Sequence, residues 1–163
     1  DRAGKMEPPL ERHSVPADNS CLFTACAYLC QGLSVDFQLK GAARRLRGVC
    51  AEAVLADPDP ATRALMLGHD SVEAYDQWIR NEMHWGGEPE VLMLAEHFQT
   101  ELVVVSCESL RLLRYGACTN GTAYLLYTGQ HYDPLAAGPK GEPAAGEAGR
   151  RYPPGAPEDA VAA

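Results

Sequence analysis

Cys21 stands where a polar turn, Val15-Pro16-Ala17-Asp18-Asn19-Ser20, runs into the almost uniformly apolar stretch Leu22 to Cys30. A thiol in the first turn of a helix lies against free backbone N–H groups and the positive end of the dipole, which favour the thiolate. That placement makes Cys21 a candidate nucleophile with a low-pKa, exposed thiol. The preceding turn adds closely spaced amides able to face a carbonyl oxygen as it gains charge under attack. Nucleophile and oxyanion hole thus come from one short segment.

The base comes 110 positions later, in Tyr124-Leu125-Leu126-Tyr127-Thr128-Gly129-Gln130-His131-Tyr132-Asp133-Pro134. If Gln130 to Asp133 are extended, His131 and Asp133 point the same way, and the carboxylate can hold the imidazole in its working tautomer. The set suits acyl transfer from an amide or thioester, with Cys21 attacking and His131 moving the proton. Asp18, three positions before the thiol, has two readings: a helix cap, or a residue that shapes the oxyanion turn. A carboxylate so close to the sulfur opposes thiolate formation, which makes Asp18 a site former and Asp133 the better orienter. His13, His69, His84 and His97 lack a comparable strand-end setting with an acid two positions on.

Three segments in this order, Asp18-Asn19-Ser20-Cys21-Leu22-Phe23, then Trp85-Gly86-Gly87 with Glu90, then Gly129-Gln130-His131-Tyr132-Asp133, resemble the ovarian tumour (OTU) deubiquitinases. The resemblance runs from about Val15 to Leu135 and is greatest to the branch of ubiquitin thioesterases associated with the valosin-containing-protein unfoldase. It implies an α+β, papain-like fold with a small, mostly antiparallel sheet packed between helices. It also implies a cysteine peptidase that needs no cofactor and no metal, with Asp18, Cys21, His131 and Asp133 as catalytic residues. Trp85, Gly86, Gly87 and Glu88 would line the cleft that takes the C-terminal tail of ubiquitin. Glu88-Pro89 here replaces the small or aliphatic pair usual after the glycines. Ubiquitin and polyubiquitin chains are the implied partners. An unfoldase partnership is a further implication, although neither the ubiquitin-like adaptor nor the zinc finger common in that branch is present in this sequence.

Composition narrows the alternatives. With 14 basic against 22 acidic residues the formal net charge is −8, which disfavours a phosphate-binding surface and hence nucleic acid. No apolar run of membrane-spanning length and no signal-peptide pattern occurs, so a cytoplasmic protein with no membrane partner is expected. Six cysteines form no C-x-x-C pair, and Cys26 and Cys30 fall one turn apart on an apolar face, where they read as small buried hydrophobes.

Positioning elements follow from periodicity. Residues 1 to 14 read as a loose lead-in, 15 to 135 as the catalytic domain, and the Ala/Gly/Pro-rich 136 to 163 as a disordered tail. Ser20 to Cys30 is apolar all round, a central helix stopped by Gly32. Lys40 to Ala56 is amphipathic, with Arg44, Arg45 and Arg47 read as a solvated basic face. A short helix over Ala61 to Leu67 precedes a capping box at Asp70-Ser71-Val72-Glu73, and Pro89 opens a helix from Glu90 to Phe98. The Trp85 loop is either a tight connection anchored by its tryptophan or a substrate-facing segment. Glu101 to Cys107, Leu110 to Tyr115 and Tyr124 to Tyr127 have strand composition. Two other functions stay open from the residues alone: an inactive ubiquitin-binding module of the same fold, and a Cys-His amidase or acyl transferase with another substrate.

Overall fold

The structure is a computed structural model, which describes residues 9–138, 140 and 150–154. In chain order the elements are β1 (Leu10–Arg12), α1 (Cys21–Cys30), α2 (Asp36–Leu55), α3 (Pro60–Met66), α4 (Val72–Arg80), α5 (Glu88–Phe98), β2 (Glu101–Ser106), β3 (Arg111–Tyr115), β4 (Thr122–Tyr127) and β5 (Tyr132–Ala137). The five strands form one sheet in the order β1-β5-β4-β2-β3, antiparallel at every pairing except β2 with β4. The α+β, mostly antiparallel architecture expected from the resemblance is therefore the one observed.

All ten residues of α1 are buried. A helix apolar on every side needs cover on every side. It packs against β5 and β4 of the sheet on one hand and α2 on the other, with α5 also touching it. Leu22, Phe23 and Leu29 are almost wholly removed from water, and each such side chain contributes about 1.5–3 kcal/mol. This burial fixes the position of Cys21, because the first residue of α1 moves only if the core moves. Gly32, at φ 66°, turns the chain away after the helix.

Other elements depart from the expected boundaries for local reasons. Helix α2 begins a turn earlier than the amphipathic pattern suggested, at Asp36, whose charge favours a first helical turn. Helix α4 is capped by Ser71, not Asp70: its Oγ accepts the Ala74 N–H at 3.0 Å. Strand β3 does not pair with β4 across the Thr119-Asn120-Gly121 turn; β2 lies between them, parallel to β4. The lead-in is not wholly loose, since β1 pairs with β5 through Leu10 with Ala137 and Arg12 with Leu135. That pairing also draws Ala136 and Ala137 into the sheet. Within the stretch read as a disordered tail, Tyr152 bridges Thr122 and the Arg150 guanidinium stacks over the Tyr28 ring at 3.6 Å. Most of that stretch lies outside the described residues. Among the described residues no helix is long and apolar enough to cross a membrane.

Candidate active site

Cys21 opens α1, and its sulfur accepts the backbone N–H of Tyr132, the first residue of β5, at 3.5 Å. The packing of α1 on β5 thus brings the two halves of the sequence motif to one point. His131 immediately precedes β5, and its Nε2 lies 2.8 Å from Asp133 Oδ1. The alternation of an extended chain accounts for this: residues two apart share a face. Thr128 and His131 close the turn before the strand, with the His131 N–H donating to Thr128 Oγ1 at 3.1 Å and the Thr128 N–H to the His131 carbonyl at 3.0 Å. Gly129 within it has φ 101°, a conformation suited to glycine, and a Cβ there would meet the Glu108 carboxylate.

Asp133 is buried and holds three partners. Oδ1 accepts from His131 and from the Val15 N–H at 2.9 Å, while Oδ2 takes the Arg12 guanidinium at 2.6 Å. Burial alone would raise its pKa, but the Val15 amide, His131 and Arg12 outweigh it and hold the carboxyl below the usual aspartate range. Arg12, on β1, was not singled out from the sequence. An arginine in a polar lead-in carries no signal by itself; the β1–β5 pairing delivers Arg12 to Asp133.

The thiol departs from expectation. Cys21 is buried, at 6% exposure, and burial pushes its pKa above the ordinary cysteine value, assisted by the charges of Asp18 and Asp133; amides of Tyr132 and Leu22 pull the other way without prevailing. Among the described residues no hydrogen bond joins the sulfur to the His131 ring. The exposed, low-pKa thiol suggested by the helix N-terminus is corrected accordingly: the dipole is present, but the sulfur has lost its water. Alkylation of Cys21 by iodoacetamide should run slower than that of the exposed Cys107 and Cys118 at neutral pH and keep rising as pH increases past the ordinary thiol pKa, measurable by peptide mapping against time.

Asp18 is exposed and accepts the Ser20 N–H at 2.9 Å, ahead of the helix and not within it. It shapes the turn and does not reach His131. The N-cap residue Ser20 makes no side-chain cap. The Cys21 amide, at the first helical position, has no intrahelical acceptor.

Trp85, Gly86, Gly87 and Glu88 line a groove of about 210 Å³ whose other wall includes Leu113, Tyr115, Gln130 and Tyr132. Tyr132, whose amide holds the thiol, thus also lines the groove. The Trp85 side chain is 55% exposed, and its indole N–H donates to Asn19 Oδ1 in the nucleophile turn. Glu88 accepts from the Tyr115 hydroxyl at 2.7 Å, which ties the start of α5 to the edge strand. Gly87 donates its N–H to the buried Glu90 carboxylate at 2.8 Å. Gly86 is needed for close approach: a Cβ there would lie 2.9 Å from Leu22 Cδ2 and from Phe23 Cζ. Gly86→Ala is expected to lower stability by about 1–3 kcal/mol, read from the thermal midpoint, because those neighbours are packed and have no room to yield.

Two set-aside histidines have structural surroundings. His13 is buried, with Nδ1 2.6 Å from the Tyr28 hydroxyl and Nε2 2.8 Å from the Gly138 carbonyl; His84 stacks on Trp78. Arg47, which its neighbours Arg44 and Arg45 place on a solvated face, is instead 1% exposed. A signal for it existed: Ala43, Arg47, Cys50 and Val54 form one i+3/i+4 row, and the other three are core residues.

A cysteine at the head of a buried central helix, held by the amide next to a strand-end histidine that an aspartate backs, is the layout of a papain-like thiol hydrolase. The chain belongs to the ovarian tumour (OTU) domain family. Its sequence is similar to Ubiquitin thioesterase OTU1 of Gallus gallus, 42% identical over 130 residues that cover 78% of this chain and 41% of that protein. It is likewise similar to the Homo sapiens protein of the same name, 38% identical with 78% and 36% covered. The chain thus spans well under half the length of these relatives. Among solved structures, an OTU domain in complex with ubiquitin matches with a TM-score of 0.66 and 27% identity, over 78% of this chain and 69% of the other. The Hazara virus OTU bound to ubiquitin shares the fold, with a TM-score of 0.57 at 21% identity, over 85% of this chain and 94% of the other. No protein-family model matches the chain.

Proposed function

We propose that this chain is a deubiquitinating cysteine peptidase domain that hydrolyses isopeptide or thioester bonds at the C-terminus of ubiquitin. The observation that carries the chemistry is that Cys21 is held by the Tyr132 amide next to the His131–Asp133 pair, with Tyr132 and Gln130 lining the Trp85–Glu88 groove. The substrate class rests on the likeness to ubiquitin thioesterases and to an OTU domain in complex with ubiquitin.

The extended ubiquitin tail lies in the groove, with Gly86 and Gly87 allowing its backbone to approach and Trp85 and Tyr115 as walls. The resting thiol is protonated, so His131 acts first as general base through Nδ1, the ring nitrogen not committed to Asp133. The sulfur bonds to the terminal carbonyl carbon as its proton passes to His131. The Cys21 amide and its neighbours face the oxygen that gains charge. His131 then returns the proton to the leaving lysine amine, or to the leaving thiolate of a thioester, as that bond breaks. In the second half, water attacks the acyl-enzyme, gives a proton to His131, and the Cys21 thiol is re-formed with release of the ubiquitin carboxylate. Asp133 keeps the imidazole oriented throughout, and Asp18 shapes the turn before the nucleophile. Metal and cofactor have no part in this scheme. Polyubiquitin chains are included as substrates, and action in the cytoplasmic ubiquitin pathway beside the valosin-containing-protein unfoldase rests on the resemblance to the OTU1 branch alone.

The test is reaction of the purified chain with ubiquitin carrying a thiol-reactive electrophile at its C-terminus, followed by intact mass and peptide mapping. A ubiquitin-sized adduct on Cys21 is expected. A thiol that takes a small electrophile but not the ubiquitin probe would favour an amidase or transferase with another acyl substrate. No adduct with either reagent would favour an inactive ubiquitin-binding module.

A further inference from the structure

We propose that Arg47 is a positioning residue for the hydrolysis, fixing the peptide before the nucleophile and diverting the Ser20 hydroxyl so that the N-terminus of α1 stays open for the developing oxyanion. This rests on the functional reading above, since it concerns the same site.

The guanidinium of Arg47 is buried within α2 with no carboxylate at ion-pair distance among the described residues. A buried cation without a counter-ion persists only when its donors are satisfied. Here they go to the loops that flank the groove. Nη1 donates to the carbonyls of Ile79 at 2.9 Å and Asn81 at 3.2 Å, at the C-terminal end of α4, where a cation is favoured. Nη2 donates to the His84 carbonyl at 2.7 Å, next to Trp85, and to the Asn19 carbonyl at 2.9 Å. The face of the ion lies 4.5 Å over the Phe23 ring, and Phe23 is one of the side chains against which Gly86 packs.

Two consequences bear on catalysis. First, the Asn19–Ser20 peptide is held at both ends, its oxygen by Arg47 and its N–H by Asp18 Oδ1 at 2.9 Å. That peptide leads directly into Cys21, so its plane sets the direction of the next amide. Second, Ser20 occupies the N-cap position, where a serine hydroxyl ordinarily accepts from the amide of the second or third helical residue, here Leu22 or Phe23. Instead its Oγ receives Arg47 Nη2 at 3.1 Å and Nε at 3.3 Å, and α1 has no side-chain cap. The hydroxyl that would fill the amide site is thus held elsewhere. A purely architectural arginine would tie helix to helix; this one ties the nucleophile turn to the substrate loop.

Arg47→Met keeps the apolar part of the stem and removes every donor. With a ubiquitin C-terminal fluorogenic amide, kcat per folded molecule is expected to fall about 100-fold, the scale of one lost oxyanion donor, while KM stays within about threefold of the wild type. Adding Ser20→Ala to that variant is expected to recover at least about tenfold in kcat, because no hydroxyl remains to cap the helix; a merely structural role predicts no recovery. If Arg47→Met does not fold, amide exchange of the wild-type chain decides. The Phe23 amide, which a Ser20 cap would cover, should exchange freely in the unreacted chain and become protected in the ubiquitin adduct; protection already present in the unreacted chain would overturn the proposal. Unchanged kcat in Arg47→Met, or no recovery in the double variant, would overturn it while wild-type labelling by the ubiquitin probe keeps the hydrolase reading. Failure of the wild type to label would overturn both.

Discussion

Cys21→Ala is expected to take turnover of a ubiquitin-derived fluorogenic amide below detection, a loss on the order of a millionfold, with ubiquitin affinity within about threefold of the wild type. The separation follows from the burial of the thiol. At 6% exposure Cys21 offers a ligand almost no surface, whereas the groove walls at Trp85, Gly87 and Tyr115 are untouched by the change. No other described group could take over: Cys26, Cys30 and Cys50 are buried in the core, and Cys107 and Cys118 are exposed on β-strand connections. Alanine removes one heavy atom and a weak acceptor for the Tyr132 amide, so the fold should lose only about 1 kcal/mol. Titration calorimetry with ubiquitin beside the fluorogenic assay checks both halves. Residual turnover in this variant would remove Cys21 as the nucleophile.

Asp133→Asn is the second large effect, expected to lower kcat by about 10³–10⁴-fold. The amide is isosteric, but it cannot accept from His131, Val15 and Arg12 together, and an NH₂ group facing Nε2 selects the other imidazole tautomer, leaving Nδ1 protonated and unable to take the thiol proton. The same substitution should reduce stability by about 1–3 kcal/mol at neutral pH, since charge-assisted bonds to a buried carboxylate are lost. The pH dependence has a definite sign. A carboxyl whose pKa is lower in the folded than in the unfolded chain stabilises the fold above the unfolded value, and that contribution is lost as pH falls through the folded one. Thermal midpoints of wild type and variant should therefore differ at neutral pH and converge in the acid range below the ordinary aspartate pKa. A gap that persists unchanged into acid would mean that the Asp133 charge is not what stabilises this corner.

Much of this was legible in the residues. The apolar run after Ser20 required a buried helix, and the β-branched run at 101–106 a covered strand. The two-residue spacing of His131 and Asp133 predicted their contact, because an extended chain leaves little freedom over two positions. The Trp85-Gly86-Gly87 loop was recognisable as a place of close approach, and Gly86 meets Leu22 and Phe23 there. Each of these is a local property, set by periodicity or by the steric limits of a few neighbouring residues.

What only the tertiary structure decided are the long-range pairings and the electrostatics that follow from them. Strand β1 brings Arg12 to Asp133 across 121 positions, and no pattern in the lead-in announces it. Arg47 looked solvated beside Arg44 and Arg45, yet the packing of α2 turned it alone inward, where carbonyls from the nucleophile turn, α4 and the Trp85 loop converge. The thiol is the sharpest case. Sequence places it at a helix N-terminus, which lowers its pKa, but how much water it keeps depends on the sheet that covers it, and desolvation wins. Types and spacing of residues determined which groups this protein has for chemistry; the packing of α1 between α2 and β5 decided which of them meet and in what protonation state they rest.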